Sequence, residues 1–117
     1  MVIFTMSWDL PTEHEKLRVY ANKARADWIP VTANWPGVTE VSTFRNPMQQ
    51  TPQALTVIRF SDLTGWQNFI ASRDYQRMMQ EVRTLGCTAV TTRVWLPSSL
   101  TPEPVHPGDG PSPAKDA

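Results

Sequence analysis

Apolar side chains alternate from the start of the chain, with Val2, Phe4, Met6 and Trp8 pointing one way and Ile3, Thr5, Ser7 and Asp9 the other. That period of two predicts a strand over about Val2–Trp8 with one greasy face and one mixed face. The period then lengthens. Leu17, Tyr20, Ala24 and Trp28 recur at helical spacing and predict a buried stripe, while Lys16, Lys23 and Asp27 fall on the wet side. Thr12 with Glu15 three residues later predicts a capping box, which starts the helix near Glu13. Pro30 predicts its end or a kink. Trp35-Pro36-Gly37 is turn chemistry, and Val38–Arg45 reads as a second strand that alternates less cleanly than the first. A polar loop from Asn46-Pro47 to Thr51-Pro52, too long for a tight hairpin turn, separates it from a third strand over Ala54–Ser61.

A second helix follows, capped by Ser61 or Asp62. Its stripe of Trp66, Phe69 and Ile70 changes phase before Met78, Met79 and Val82, which predicts a break around Ser72-Arg73-Asp74. Gly86 is placed to end the helix, and Cys87–Leu96, rich in β-branched residues, reads as the fourth strand. The order βαββαβ predicts an α+β fold in which two helices cover one face of a four-stranded antiparallel sheet. That domain spans residues 1–97. Residues 98–117 form a proline-rich tail, expected to be extended or disordered, since five of the 11 prolines fall after Leu100 with almost no apolar side chains to repay ordering.

Composition narrows the functional classes. A chain of 117 residues with 11 Lys and Arg against 11 Asp and Glu has no net charge, and its basic residues are scattered, so nucleic acid is not an expected partner. The short apolar start runs directly into a strand, unlike a signal peptide or a membrane span, and a cytoplasmic protein without membrane association is expected. The lone Cys87 excludes an internal disulfide and a thiolate metal cage, and reads as a buried small hydrophobe.

Pro36-Gly37-Val38 leading into a strand, and Ser61-Asp62-Leu63 followed by Trp66 and by Phe69-Ile70-Ala71-Ser72-Arg73-Asp74-Tyr75, resemble the dimeric α/β-barrel superfamily that includes the antibiotic-biosynthesis monooxygenase type. The resemblance covers about residues 1–97 and excludes the tail. It implies ferredoxin-like subunits that pair their sheets as a homodimer, each with a pocket between sheet and helices. The residues agree on one point independently: a sheet covered on one face leaves the other needing cover, and several strands here carry apolar side chains on both faces.

The branches of that superfamily imply different chemistry. The haem-degrading branch implies an Asn on the first strand and a Trp and a His on the second helix. Here the only histidines are His14 and His106, and the first strand carries Ser7 where an amide is wanted. Met79 sits on a helix stripe and reads as core packing, so no haem, other cofactor or metal is expected. The cofactor-free monooxygenase branch implies a dry pocket and polar groups that hold a substrate anion, the substrate itself reacting with oxygen. Trp66, Asn68, Tyr75 and Arg93 match residue types used there, though not by spacing. The alternative reading has Trp66 packing helix on sheet, Asn68 solvated and Tyr75 filling the helix break.

Arg59 and Arg93 interrupt apolar strand positions and are expected to share a sheet face with Thr5, Ser7 or Thr91. Each needs an anion, either a ligand's acidic group or a protein carboxylate such as Glu40. The candidate ligand-binding set is therefore Arg59, Arg93, Trp66, Tyr75 and Ser7, with no catalytic residue assigned. Two functions remain open. One is a homodimer that binds a small apolar or aromatic ligand, with cofactor-independent monooxygenase-like chemistry on an aromatic or polyketide-like substrate. The other is a non-catalytic ligand-binding or structural homodimer, which the lack of a well-placed general base favours.

Overall fold

A computed structural model of the chain describes residues 1–101, 103–111 and 113. Four strands, β1 (Val2–Asp9), β2 (Val38–Arg45), β3 (Ala54–Phe60) and β4 (Thr88–Trp95), form one antiparallel sheet in the order β2-β3-β1-β4. Between β1 and β2 run α1 (His14–Lys23), a π-helical segment (Ala24–Trp28) and α2 (Ile29–Ala33); α3 (Leu63–Ile70) and α4 (Arg73–Thr84) lie between β3 and β4. The fold is ferredoxin-like α+β, as expected. Val2, Phe4, Met6 and Trp8 of β1 and Ile58 and Phe60 of β3 are buried against Trp28, Phe69, Met78, Met79 and Val82 of the helices, so the helical layer covers one face of the sheet.

The uneven alternation of β2 has a local cause. Val38 pairs with Phe60 and Val41 with Ile58, while Glu40 pairs with Arg59, so a bulge between Val38 and Glu40 keeps both valines on the helical face at a spacing of three. The expected break in the second helix is present. Ser72 stands between α3 and α4, donating to the Phe69 carbonyl at 2.6 Å and accepting from the Tyr75 amide at 3.1 Å. Asp62, rather than Ser61, caps α3 by accepting from the Gly65 amide at 2.8 Å. Gly86, at φ +98, ends α4: its amide donates to the Arg83 carbonyl at 3.0 Å, and that of Cys87 to the Val82 carbonyl at 3.2 Å. Together these bonds form a Schellman motif.

Two local expectations are corrected, and of the two outcomes expected at Pro30 one is excluded. The Thr12–Glu15 capping box does not form, because α1 begins at His14 with Glu13 at the cap and no side-chain cap bond; the Glu15 carboxylate pairs instead with Arg18 on the next turn. Leu17 is exposed, and no residue of α1 is fully buried; the stripe goes under cover only as it approaches Trp28. Pro30 does not end the helix. The wider π turn, closed by the Ile29 amide on the Ala24 carbonyl, precedes the proline, and a further turn runs on to Ala33. After Trp95 the described residues form no helix or strand, and Leu100 and Val105 are exposed. The part of the expected tail at 102, 112 and 114–117 lies outside the described residues.

Candidate functional site

Between the sheet and the helices lies a cavity of about 400 Å³, at the lower end of the ~300–1,000 Å³ usual for small-molecule sites. Its floor comes from the helical face of β1, β2 and β3, including Met6, Val41 and Thr56, and its roof from Trp28, Thr32 and Met78. Residues on its inner side, such as Phe69, Met79 and Val82, are buried, whereas Thr43, Phe44 and Arg45 on the edge strand β2 are exposed. The mouth therefore opens under β2.

One wall is a run of aromatic rings. The Trp8 and Tyr20 rings meet edge to face at 6.5 Å, and Tyr20 and Trp28 at 5.4 Å. The Trp8 indole N–H donates to the Tyr20 hydroxyl at 2.9 Å, which leaves the tyrosine proton free to donate to a molecule in the cavity. Burial pushes the Tyr20 phenol above its ordinary range, which keeps it protonated and able to donate. Trp28 is held from the other side, its indole N–H donating to Glu81 Oε1 at 3.5 Å. Thr32 is the buried hydroxyl of the roof, and its partner is the Met78 sulfur at 3.8 Å.

Of the five residues in the sequence-derived binding set, Tyr75 lines this cavity. Its ring bridges Phe69, at 5.2 Å, and Phe4, at 6.0 Å, and burial raises its hydroxyl above the ordinary value. Trp66 packs on Phe4 at 6.0 Å on the helical side, outside the cavity lining, and its indole N–H is buried without a partner among the described residues. Ser7, Arg59 and Arg93 belong to the opposite face. Register places Arg59 beside Ile3, Arg93 beside Thr5 and Thr91 beside Ser7, as the strand pattern implied. Arg59 lies 3.8 Å from Glu40 on the neighbouring strand. The same face carries the half-buried Ile3, Leu55 and Val57 and the exposed Phe44 and Trp95.

Tyr20, Trp8, Trp28, Thr32 and Arg45 were not in the sequence-derived set. On the sequence, Tyr20 and Trp28 read as core stripe. The available signal was that tyrosine and tryptophan on a buried stripe carry polar tips that need partners. Among the described residues, no three His, Cys, Asp or Glu side chains gather closely enough to hold a metal ion, and no carboxylate or imidazole lines the cavity.

No protein-family model matches the chain, and no curated protein sequence does so. Solved structures do. A Deinococcus radiodurans protein named provisionally as an antibiotic biosynthesis monooxygenase superposes with a TM-score of 0.71 at 13% identity, covering 91% of this chain and 97% of that one. SnoaB, a cofactor-independent oxygenase from Streptomyces nogalater solved in a variant form, gives 0.61 at 16% identity over 80% and 89%. A dimeric protein of unknown function from Bacteroides fragilis gives 0.65 at 11% identity over 80% and 93%. The chain thus shares the ferredoxin-like fold of these proteins. No helix among the described residues is long and apolar enough to cross a membrane.

Proposed function

We propose that this chain is a small-molecule-binding subunit of a cytoplasmic homodimer, whose cavity takes an aromatic or polyketide-like molecule and supports cofactor-independent oxygenation of it. The observation that carries the reading is the cavity itself: about 400 Å³ of apolar space walled by Trp8, Tyr20 and Trp28, with the Tyr20 hydroxyl among the lining groups and its proton not used by Trp8. Flat aromatic walls suit a flat aromatic guest. In such chemistry the deprotonated substrate passes an electron to dioxygen, and the resulting radicals join at carbon. The peroxide anion so formed takes up a proton from solvent, and loss of water from the hydroperoxide leaves one oxygen on the substrate as a carbonyl. The protein supplies a dry pocket and a donor for the substrate oxyanion, a part that Tyr20 fits. The oxygenase neighbour of the same fold supports this. The apolar sheet face with Phe44 and Trp95 supports pairing of two sheets, and a dimeric neighbour accords with it.

A non-catalytic binder is the second reading, favoured by the lack of a carboxylate or imidazole among the described lining residues. An oxygen electrode separates the two, with a hydroxylated tricyclic anthrone as probe and no added flavin or metal. Oxygen uptake in proportion to protein, reduced in Tyr20→Phe, supports the oxygenase. Saturable quenching of tryptophan fluorescence without oxygen uptake supports the binder, and neither signal rejects both.

A further inference from the structure

Among the described residues that line the cavity, Arg45 carries the only formal charge. The other lining groups are apolar side chains and hydroxyls, with no acid to balance it. The placement follows from register. Arg45 pairs with Ala54, which pairs in turn with Trp8, so the arginine lies in the same cross-strand row as the tryptophan at the start of the aromatic wall, on the helical face of the sheet. Arg45 is the last residue of the edge strand β2, exposed and at the mouth.

No described carboxylate forms an ion pair with Arg45. Asp9, the acid at this end of the sheet, is engaged elsewhere, accepting from the Thr51 hydroxyl at 2.7 Å and from the Gln53 amide at 3.2 Å. Those bonds, with Gln53 Oε1 accepting from the Leu10 amide at 2.7 Å, tie the β2–β3 loop to the end of β1 and so fix the strand end that carries Arg45. The mouth is therefore a fixed apolar entrance with a cation on its rim.

We infer that the ligand of this cavity is an organic anion: an aromatic body that lies against Trp8, Tyr20 and Trp28, with an acidic substituent at the mouth on Arg45. The inference rests on the reading of the cavity as an aromatic-binding site and names the class within it. A guanidinium holds a carboxylate with two parallel hydrogen bonds, and at a mouth bounded by apolar walls that contact is less screened than on open surface.

Naphthalene-2-carboxylate and its neutral analogue naphthalene-2-carboxamide, titrated into the full chain by calorimetry, test it. The wild type should bind the carboxylate about tenfold more tightly than the amide, as expected for one charge-assisted contact. Arg45→Met, whose side chain is exposed and whose loss should leave the melting temperature unchanged, should remove that preference and leave amide binding intact. Arg45→Lys should retain part of it. Equal affinity for both probes in the wild type, or a preference that survives in Arg45→Met, overturns the anion assignment while leaving the aromatic site standing. Failure of both probes to bind the wild type overturns the site as well.

Discussion

The indole N–H of Trp8 donates to the hydroxyl of Tyr20 at 2.9 Å, a bond between the first strand and the first helix that makes one wall of the cavity. It is the clearest case here of a contact serving both fold and site. The sheet holds the tryptophan, which is buried, and the bond orients the tyrosine on a helix with no buried residue of its own.

Tyr20→Phe keeps the ring packing against Trp8 and Trp28 and removes the acceptor, leaving the Trp8 N–H buried without a partner. The expected loss is about 1–2 kcal/mol by chemical denaturation. In a double-mutant cycle with Trp8→Phe the second substitution should cost markedly less, since no donor is then stranded. Equal costs in both backgrounds would mean that the hydrogen bond contributes nothing.

Acid should loosen the joint between the two helical arms. Arg77 grips Asp27 through both guanidinium nitrogens, at 2.9 and 3.1 Å, and bonds Glu81 at 2.6 Å, while Lys23 reaches Glu81 at 2.7 Å. Arg77 holds the Asp27 carboxyl below its ordinary 3.8, and Lys23 holds Glu81 below 4.5. Folded values below unfolded ones mean that this stabilisation is complete above the ordinary carboxylate range and is lost as pH falls through the lowered values. Arg77→Met should cost about 1 kcal/mol at neutral pH, the groups being partly solvated. Thermal melts of variant and wild type should converge as pH falls below the ordinary carboxylate range; a constant gap on acidification would show that the network does not act through these carboxylates.

Legibility in the sequence followed the reach of each signal. Periodicity identified β1, β2 and β3 almost to the residue, and the phase change before Met78 located the break that Ser72 makes. What escaped was what hydrophobic periodicity does not record, whether local or far along the chain. The capping box failed because Glu15 has Arg18 as a nearer partner. The π turn before Pro30 depends on hydrogen bonds that no periodicity records. At the site, Tyr75 entered the candidate set by residue type alone, and it lines the cavity. Arg45 was not, because a charged residue ending an edge strand looks solvated until the cavity beside it is seen. Arg59 and Arg93 were correctly placed together on one face, but the cavity opens on the other.

Pairing of two sheets through the uncovered face predicts a particle of twice 13.2 kDa by light scattering. Trp95 is 52% exposed there, its indole N–H donating to the Thr5 hydroxyl at 3.1 Å. Trp95→Glu places a charge within the proposed contact and should yield a folded monomer. Arg59→Met on the same face removes a solvent-accessible ion pair with Glu40 and a weak contact with the Met1 sulfur, and should change monomer stability by less than about 1 kcal/mol. A dimer that withstands Trp95→Glu would mean that the chain associates through another surface.

Cys87 should report on opening of the core. It sits between the glycine that ends α4 and the first residue of β4, 5% exposed, and burial pushes its thiol up to about 11. The folded value lies above the ordinary 9.0, so this group favours the folded state fully below pH 9 and ceases to do so as pH rises through about 11. Two consequences can be measured with an aromatic disulfide reagent. In denaturant at pH 8 the thiol should react at once, whereas in native buffer it should react only through the small equilibrium fraction of open chains, since neither access nor thiolate is available in the folded state. Across a pH series the native rate should keep climbing beyond pH 9 instead of levelling there. A native rate close to the denatured one at pH 8 would mean that the end of α4 frays, and that the Schellman bonds of Gly86 and Cys87 do not hold the core closed in solution.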